Sequence, residues 1–173
     1  MSAQRGNWAN VQKALADIPG LYLHDQWQHD AMEKLLTSWY DLPPGAHALA
    51  ENVLADQFVQ LADGTVQKIS LESGEFEPVC EKLEQLKAVL TESPDANYFL
   101  ATPLRIDGEK AGGRALAATE RLVPTTPFIG GGEFAASNLH VAPRDEAIGY
   151  LNDFHAQTKN LPDGATVQLK VVP

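Results

Sequence analysis

The pattern of hydrophobic and polar positions predicts a β-hairpin followed by a helix across residues 56–90. Apolar runs flank Asp63-Gly64, and Asp-Gly in that position is a strong hairpin signal because glycine accepts the positive φ of a tight turn. A second turn is predicted at Ser73-Gly74. Pro78 then suits the first turn of a helix, where its missing N–H needs no partner. The apolar positions of that helix would be Val79, Leu83, Leu86 and Leu90. We expect the sheet and this helix to cover each other's apolar faces.

Two helices are predicted before this unit. The first would be capped by Asn7 and would end at Pro19-Gly20. Its apolar positions are Trp8, Val11, Leu15 and Ile18. The second would begin after Asp25, which forms a capping-box pattern with Gln28. Its apolar stripe consists of Trp27, Ala31, Met32, Leu35, Leu36 and Trp39. We interpret the two tryptophans as core residues, with partner-facing anchors as the alternative.

The proline-rich segment 41–45 interrupts the helical pattern and divides the chain into an N-terminal helical segment, residues 1–45, and a body, residues 46–173. We expect both to form one compact domain. Within the body, residues 106–114 are predicted to be an exposed loop, and residues 121–132 at best an edge strand because of their prolines.

The C-terminal part is predicted to contain a strand, a helix and a final strand. The first strand covers residues 138–141, and Pro143 suits the first turn of the helix that follows. The buried face of that helix would consist of Ala147, Ile148, Leu151 and Phe154. Residues 165–171 then alternate as a half-buried strand does. The predicted fold class is therefore α+β: a mixed, mostly antiparallel sheet packed with helices, preceded by a helical segment.

Composition and charge narrow the class of function. The single cysteine, Cys80, excludes an intramolecular disulfide and is expected to be a small buried hydrophobe on the predicted helix. No apolar run approaches the roughly 20 residues that span a bilayer, so we expect a cytoplasmic protein without a membrane partner. The net charge is −10, and the first hundred residues carry 6 basic and 15 acidic side chains. Such a surface repels nucleic acid and favours a basic protein partner; solubility alone is the alternative.

Candidate chemical motifs give weak signals. His24-Asp25 and His29-Asp30 resemble metal-ligand pairs, but five residues along a helix rotate the side chain by about 140°, so the histidines would point apart. Neither the P-loop nor the dinucleotide-binding pattern surrounds the glycines at 130–132, which we interpret as a turn. Ser137, with His140 and Asp145 nearby, lacks the context of a nucleophile elbow. We therefore expect no catalytic residue, no cofactor and no metal.

One dense acidic group is a candidate partner-binding site. Its members are Glu72, Glu75, Glu77, Glu81 and Glu84. On the predicted helix, the last three would share one face. Such a face is either simply solvated or a docking surface for a basic partner, whose binding would relieve the repulsion between like charges.

Residues 45–173 resemble a known family through two blocks of motifs. The first is the strand 58–61, the Asp63-Gly64 turn, Ser73-Gly74-Glu75 and the leucine-rich helix. The second is the run 127–134, Asn138-Leu139, the following helix and residues 161–164. Both are similar to the SUKH superfamily and the related C-terminal domain of type VI secretion immunity proteins. The resemblance implies an α+β fold without catalytic residues and a role in neutralising a cognate toxin, often a nuclease.

The leading hypothesis is therefore an immunity-type protein that binds a basic toxin. The alternative is a regulatory or structural interaction module, with a homodimer as one form of it and no toxin partner. An enzyme would need a cleft with convergent titratable groups, which the sequence does not predict.

Overall fold

The computed structural model describes residues 10–162 and 164–166. Helix α1 covers residues 10–15. The other α-helices are α2 (Gln26–Trp39), α3 (Leu86–Glu92), α4 (Ala96–Phe99), α5 (Thr102–Gly112) and α6 (Arg144–Thr158). The strands are β1 (Tyr22–Leu23), β2 (His47–Glu51), β3 (Gln57–Gln60), β4 (Val66–Ile69), β5 (Phe76–Cys80), β6 (Glu120–Pro124) and β7 (Leu139–Pro143). Among the helices described, none has the length and apolar character needed to cross a membrane.

A five-stranded sheet in the order β1-β2-β3-β4-β5 forms the centre of the fold, and each of its strand pairs is antiparallel. Both of its faces are buried. Phe58 packs in a core with α1, α3 and α4, whereas the next residue, Val59, packs in a core with α2 and α6. Consecutive strand residues point to opposite faces, so both become core positions when helices cover the two sides. The α+β class predicted from the sequence is confirmed.

Both predicted turns are present, but the helix predicted at Pro78 is wrong at its start. Gly64 and Gly74 have positive φ, and Asp63 Oδ1 accepts the backbone N–H of Thr65 at 3.0 Å. Pro78 lies in β5, opposite Gln67, and the helical turns begin only at Leu83. Because β5 is an edge strand, the missing N–H of proline is tolerated there. Cys80 is accordingly in a strand rather than a helix, and it is half-buried.

Helix α2 forms as predicted but buries a narrower face. Asp25 and Gln28 make the reciprocal bonds of a capping box. Its fully buried residues are Met32 and Leu36, on one turn of the helix. The interpretation of the tryptophans as core residues is wrong, since Trp27 is 71% exposed and Trp39 44% exposed. Residues Asn7 and Trp8, in the predicted start of α1, lie outside the described residues.

A two-stranded sheet, β6-β7, and helices α5 and α6 complete the fold. The backbone N–H of Leu122 in β6 donates to the carbonyl of Val53, which attaches this unit to the central sheet. The predicted loop at 106–114 is wrong because α5 covers most of it. Gly108, a loop signal in the sequence, instead allows close packing: a Cβ there would lie 3.0 Å from the Leu122 side chain. The predicted edge strand at 121–132 is confirmed only as far as Pro124, and residues 128–130 form a 3-10 helix instead. Strand β7 and the buried face of α6 are confirmed, whereas most of the predicted final strand lies outside the described residues.

Candidate functional site

A groove of about 950 Å³ lies between the β4–β5 hairpin, helices α4 and α5, and segment 124–134. Its acidic lining residues are Asp56, Glu72, Glu75 and Glu77. Lys68 is the one basic side chain among the described residues that line it. The larger apolar lining residues are Phe76, Tyr98, Leu104, Phe128, Ile129 and Phe134. A site of this composition offers negative charge and apolar contact area to the same ligand.

The structure separates the five glutamates predicted as a partner-binding group. Glu72, Glu75 and Glu77 line the groove. Glu81 and Glu84 lie beyond β5, outside the groove lining; Glu84 is in the 3-10 helix Leu83–Gln85. The shared helical face predicted for the last three is therefore wrong, because Glu77 is a strand residue. Three of the five glutamates therefore line the groove, and the other two lie outside it.

The Lys68 ammonium group is paired and shielded by neighbouring side chains. Its Nζ lies 3.0 Å from Glu77 Oε2 and 4.2 Å from the centre of the Tyr98 ring. The Tyr98 hydroxyl donates to the same Glu77 oxygen at 3.1 Å. The Lys68 side chain is only 8% exposed, whereas that of Glu77 is 39% exposed. The Glu77 carboxylate is therefore partly exposed, whereas the Lys68 cation is screened from solvent.

Two further carboxyl groups belong to the wall of the groove. Glu72 is 6% exposed, and its Oε1 accepts the backbone N–H of Ile129 at 2.7 Å. Burial raises the pKa of Glu72, although the Ile129 N–H opposes the shift. Burial likewise raises the pKa of Asp56, opposed by Lys68 and by a hydrogen bond from Asn52 Nδ2 at 3.1 Å. These hydrogen bonds hold Glu72 to the Ile129 backbone and Asp56 to the Asn52 side chain.

The rim of the groove carries exposed aromatic and aliphatic side chains on segment 127–134. Phe128 and Phe134 stack with their ring centres 4.1 Å apart, and Phe134 is still 72% exposed. Gly132 makes this fold of the segment possible, because a Cβ there would lie 1.9 Å from the Thr126 carbonyl oxygen. Asn138 closes the segment by donating from Nδ2 to that same oxygen at 2.8 Å. Gly131, with a φ of 89°, and Gly132 thus serve the geometry of the turn, as the sequence indicated.

A second concentration of ionisable groups is buried inside the fold and does not line the groove. Glu51, fully buried, accepts hydrogen bonds from Arg121 Nε and Arg144 Nε at 2.7 Å each. Gln57 Nε2 donates to its other oxygen at 3.0 Å, and His24 Nε2 lies 2.8 Å from the Gln57 amide oxygen. Burial opposes ionisation of Glu51, but the Arg144 and Arg121 guanidinium groups outweigh burial and lower its pKa. Burial lowers the pKa of His24. This cluster joins β2 to β6 and α6.

Sequence reasoning missed the apolar half of the groove and the buried cluster. The prolines around Phe128 and Ile129 were a usable signal, because apolar residues in a segment that cannot form a regular strand are often exposed. The pairing of Glu51 with Arg121 gave no signal, since 70 positions separate the two residues.

The fold and the groove define a helix-covered α+β protein with an acidic, aromatic-rimmed groove. A scan against protein-family models finds no match for this chain, and a search of the curated proteins also finds none. The site is therefore interpreted from its own geometry.

Proposed function

We propose that this protein is a non-enzymatic, cytoplasmic, immunity-type protein that binds and neutralises a basic bacterial toxin, such as a nuclease, in the groove. The observation that carries the proposal is the meeting of the exposed Glu75 carboxylate with the exposed aromatic side chains of Tyr98 and Phe134 in one groove. The resemblance of residues 45–173 to the SUKH and type VI immunity families supports the same role.

The chemistry of the groove favours a partner segment that is both basic and apolar. A lysine or arginine side chain of the partner would pair with Glu75, and an apolar side chain would rest on Phe134 and Ile129. Interfaces of this kind typically bury about 800 Å² on each partner, with a few aromatic or charged anchors dominating the affinity. The net charge of −10 would also accelerate the encounter with a basic partner, and added salt would slow it.

The carboxyl groups with raised pKa do not require an enzymatic explanation. Such groups in a cleft are candidates for catalytic acids. Here, however, Glu72 holds the Ile129 backbone and Asp56 holds Asn52, so both already have a structural role. The exposed Glu75 is the carboxylate available to a partner, since Glu77, although 39% exposed, is already paired with Lys68.

The alternative is an interaction module in which a second copy of this chain occupies the groove, through the exposed apolar residues Ile129 and Phe134. Two copies would bring the same carboxylates together, and like charges at an interface are unfavourable. Charge complementarity therefore favours a basic partner over self-association.

Co-expression with the product of an adjacent gene tests the proposal. We expect that product to be toxic alone, to be harmless with this protein, and to co-purify with it. Glu75→Lys or Phe134→Ala should weaken the complex about tenfold or more, because each removes a central contact. Glu81→Lys makes the same charge change outside the groove and should leave affinity within about twofold.

Three results would contradict this proposal in different ways. Failure of the adjacent gene products to bind or to be inhibited would remove the toxin partner. Equal losses in Glu75→Lys and Glu81→Lys would mean that the acidic surface acts without the groove. A concentration-dependent dimer, abolished by Phe134→Ala in light scattering, would support the second-copy alternative instead.

A further inference from the structure

Three metal-ligating side chains meet away from the groove, where α2 packs against the start of β2. His29 and Glu33 are one helical turn apart in α2, and His47 is the first residue of β2. His29 Nε2 and His47 Nδ1 each lie 2.9 Å from Glu33 Oε1, and all three ligand atoms lie within 4.8 Å of one another. The side chains are 21%, 27% and 42% exposed for His29, Glu33 and His47, so an ion can reach them from solvent.

A backbone contact fixes which nitrogen of His29 is available. His29 Nδ1 is within hydrogen-bond distance of the Ala48 carbonyl oxygen. Because a carbonyl oxygen only accepts, Nδ1 must carry the hydrogen, and Nε2 of the neutral ring then carries a lone pair. His29 Nε2 lies 2.9 Å from a carboxylate oxygen of Glu33, so two candidate ligand atoms face each other. Donation from the second ring nitrogen to a backbone carbonyl is also how proteins orient metal-bound imidazoles.

We propose that His29 Nε2, a carboxylate oxygen of Glu33 and His47 Nδ1 bind a divalent d-block cation of the zinc class. Two imidazoles and one carboxylate are a ligand set suited to zinc, whereas magnesium and calcium prefer oxygen ligands alone. Tetrahedral bonds of about 2.0–2.1 Å place ligand atoms about 3.3 Å apart. The two 2.9 Å contacts to Glu33 would widen by a few tenths of an ångström, and the two histidine nitrogens, which lie within 4.8 Å of each other, would adjust to the same spacing. Small rotations of three partly exposed side chains supply this change.

The metal would act as a clip between two elements of the fold. His29 and Glu33 come from α2 and His47 from β2, on opposite sides of the connection that contains residues 41–45. A cation bound only by the folded chain stabilises it by mass action. Three protein ligands leave at least one coordination position for water. The site is separate from the groove, so its test does not depend on the proposed partner.

The experiment uses the full chain, without an affinity tag and stripped of metal, titrated with zinc alone by calorimetry and by competition with a coloured chelator. We expect one saturable site, with magnesium not binding. Zinc at about 100 times its dissociation constant should raise the melting temperature by about 5–10 °C. Cobalt at the same site should give the visible absorption bands of a low-coordinate ion.

Matched variants assign the site. Glu33→Gln and His47→Gln should each weaken zinc binding by at least the 10–100-fold typical of lost outer-shell partners. His140→Gln changes an exposed histidine of β7 and should bind like wild type. Thermal unfolding of the metal-free protein checks that each variant is folded. If one ligand variant does not fold, the other is sufficient for the test. Absence of saturable zinc binding below about 100 µM, or binding unchanged in both ligand variants, would overturn the proposal.

Discussion

Replacement of Glu51 by glutamine tests whether the buried ionic cluster holds the two sheets together. Glu51 is fully buried and neutralises Arg121 and Arg144, which are themselves 2% and 11% exposed at the side chain. Glutamine keeps the shape but removes the counter-charge shared by the two guanidinium groups, so that Arg144 keeps only the exposed Asp145 at 3.3 Å. Its amide nitrogen also cannot accept their hydrogen bonds. Breaking a buried ion pair by removing one partner destabilises a protein by about 3–5 kcal/mol. For a domain of this size, this corresponds to a drop in melting temperature of roughly 6–20 °C.

The pH dependence of this loss has a definite sign. The two arginines hold the pKa of Glu51 below its ordinary value of 4.5, after overcoming the opposite effect of burial. The stabilisation is therefore complete above pH 4.5 and is lost as pH falls through the lowered pKa of the folded protein. The difference in unfolding free energy between wild type and Glu51→Gln should be largest near neutral pH and should shrink in acid.

Urea unfolding followed by tryptophan fluorescence, at several pH values, measures this difference. Glu92→Gln is the matched control, because it makes the same carboxylate-to-amide change at an exposed position of α3. Exposed substitutions of this kind have small effects, so its loss of stability should be much smaller than that of Glu51→Gln. A loss below about 1 kcal/mol for Glu51→Gln at neutral pH, or a loss independent of pH, would refute the reasoning.

Three further changes test other parts of the structure. Because burial raises the pKa of Glu72, the wild-type protein loses stability as pH rises through that pKa. Glu72→Gln still accepts the Ile129 N–H, so it should flatten this loss without destabilising the protein at neutral pH. Urea unfolding measures both effects. Gly132→Ala should destabilise by about 1–3 kcal/mol, since its Cβ would overlap the Thr126 carbonyl, whereas Gly112→Ala meets open space and should melt like wild type. Trp27→Ala should change stability by no more than about 0.5 kcal/mol; a larger loss would mean that this exposed side chain is packed in solution.

The elements that the sequence predicted well are those decided by neighbours along the chain. The Asp63-Gly64 turn depends on a positive φ and on a side-chain bond two residues away, and the capping box of α2 joins Asp25 to Gln28. The buried face of α6 follows from helical periodicity. In each case the interacting groups are so close in sequence that the residues themselves specify the geometry.

Where local signals conflict, or where the interacting residues are distant in sequence, only the tertiary structure determines the outcome. Pro78 was compatible with a helix or an edge strand, and pairing with β4 selected the strand. From the sequence, Gly108 predicts a loop, whereas in the structure it lies in α5 and packs closely against Leu122. The groove assembles α4, α5, the hairpin and segment 124–134, and the Glu51 and His29 clusters each join separate elements. Such contacts form because helices that cover the faces of a sheet bring residues distant in sequence together. The hydrophobic periodicity of one segment does not specify which distant residues meet.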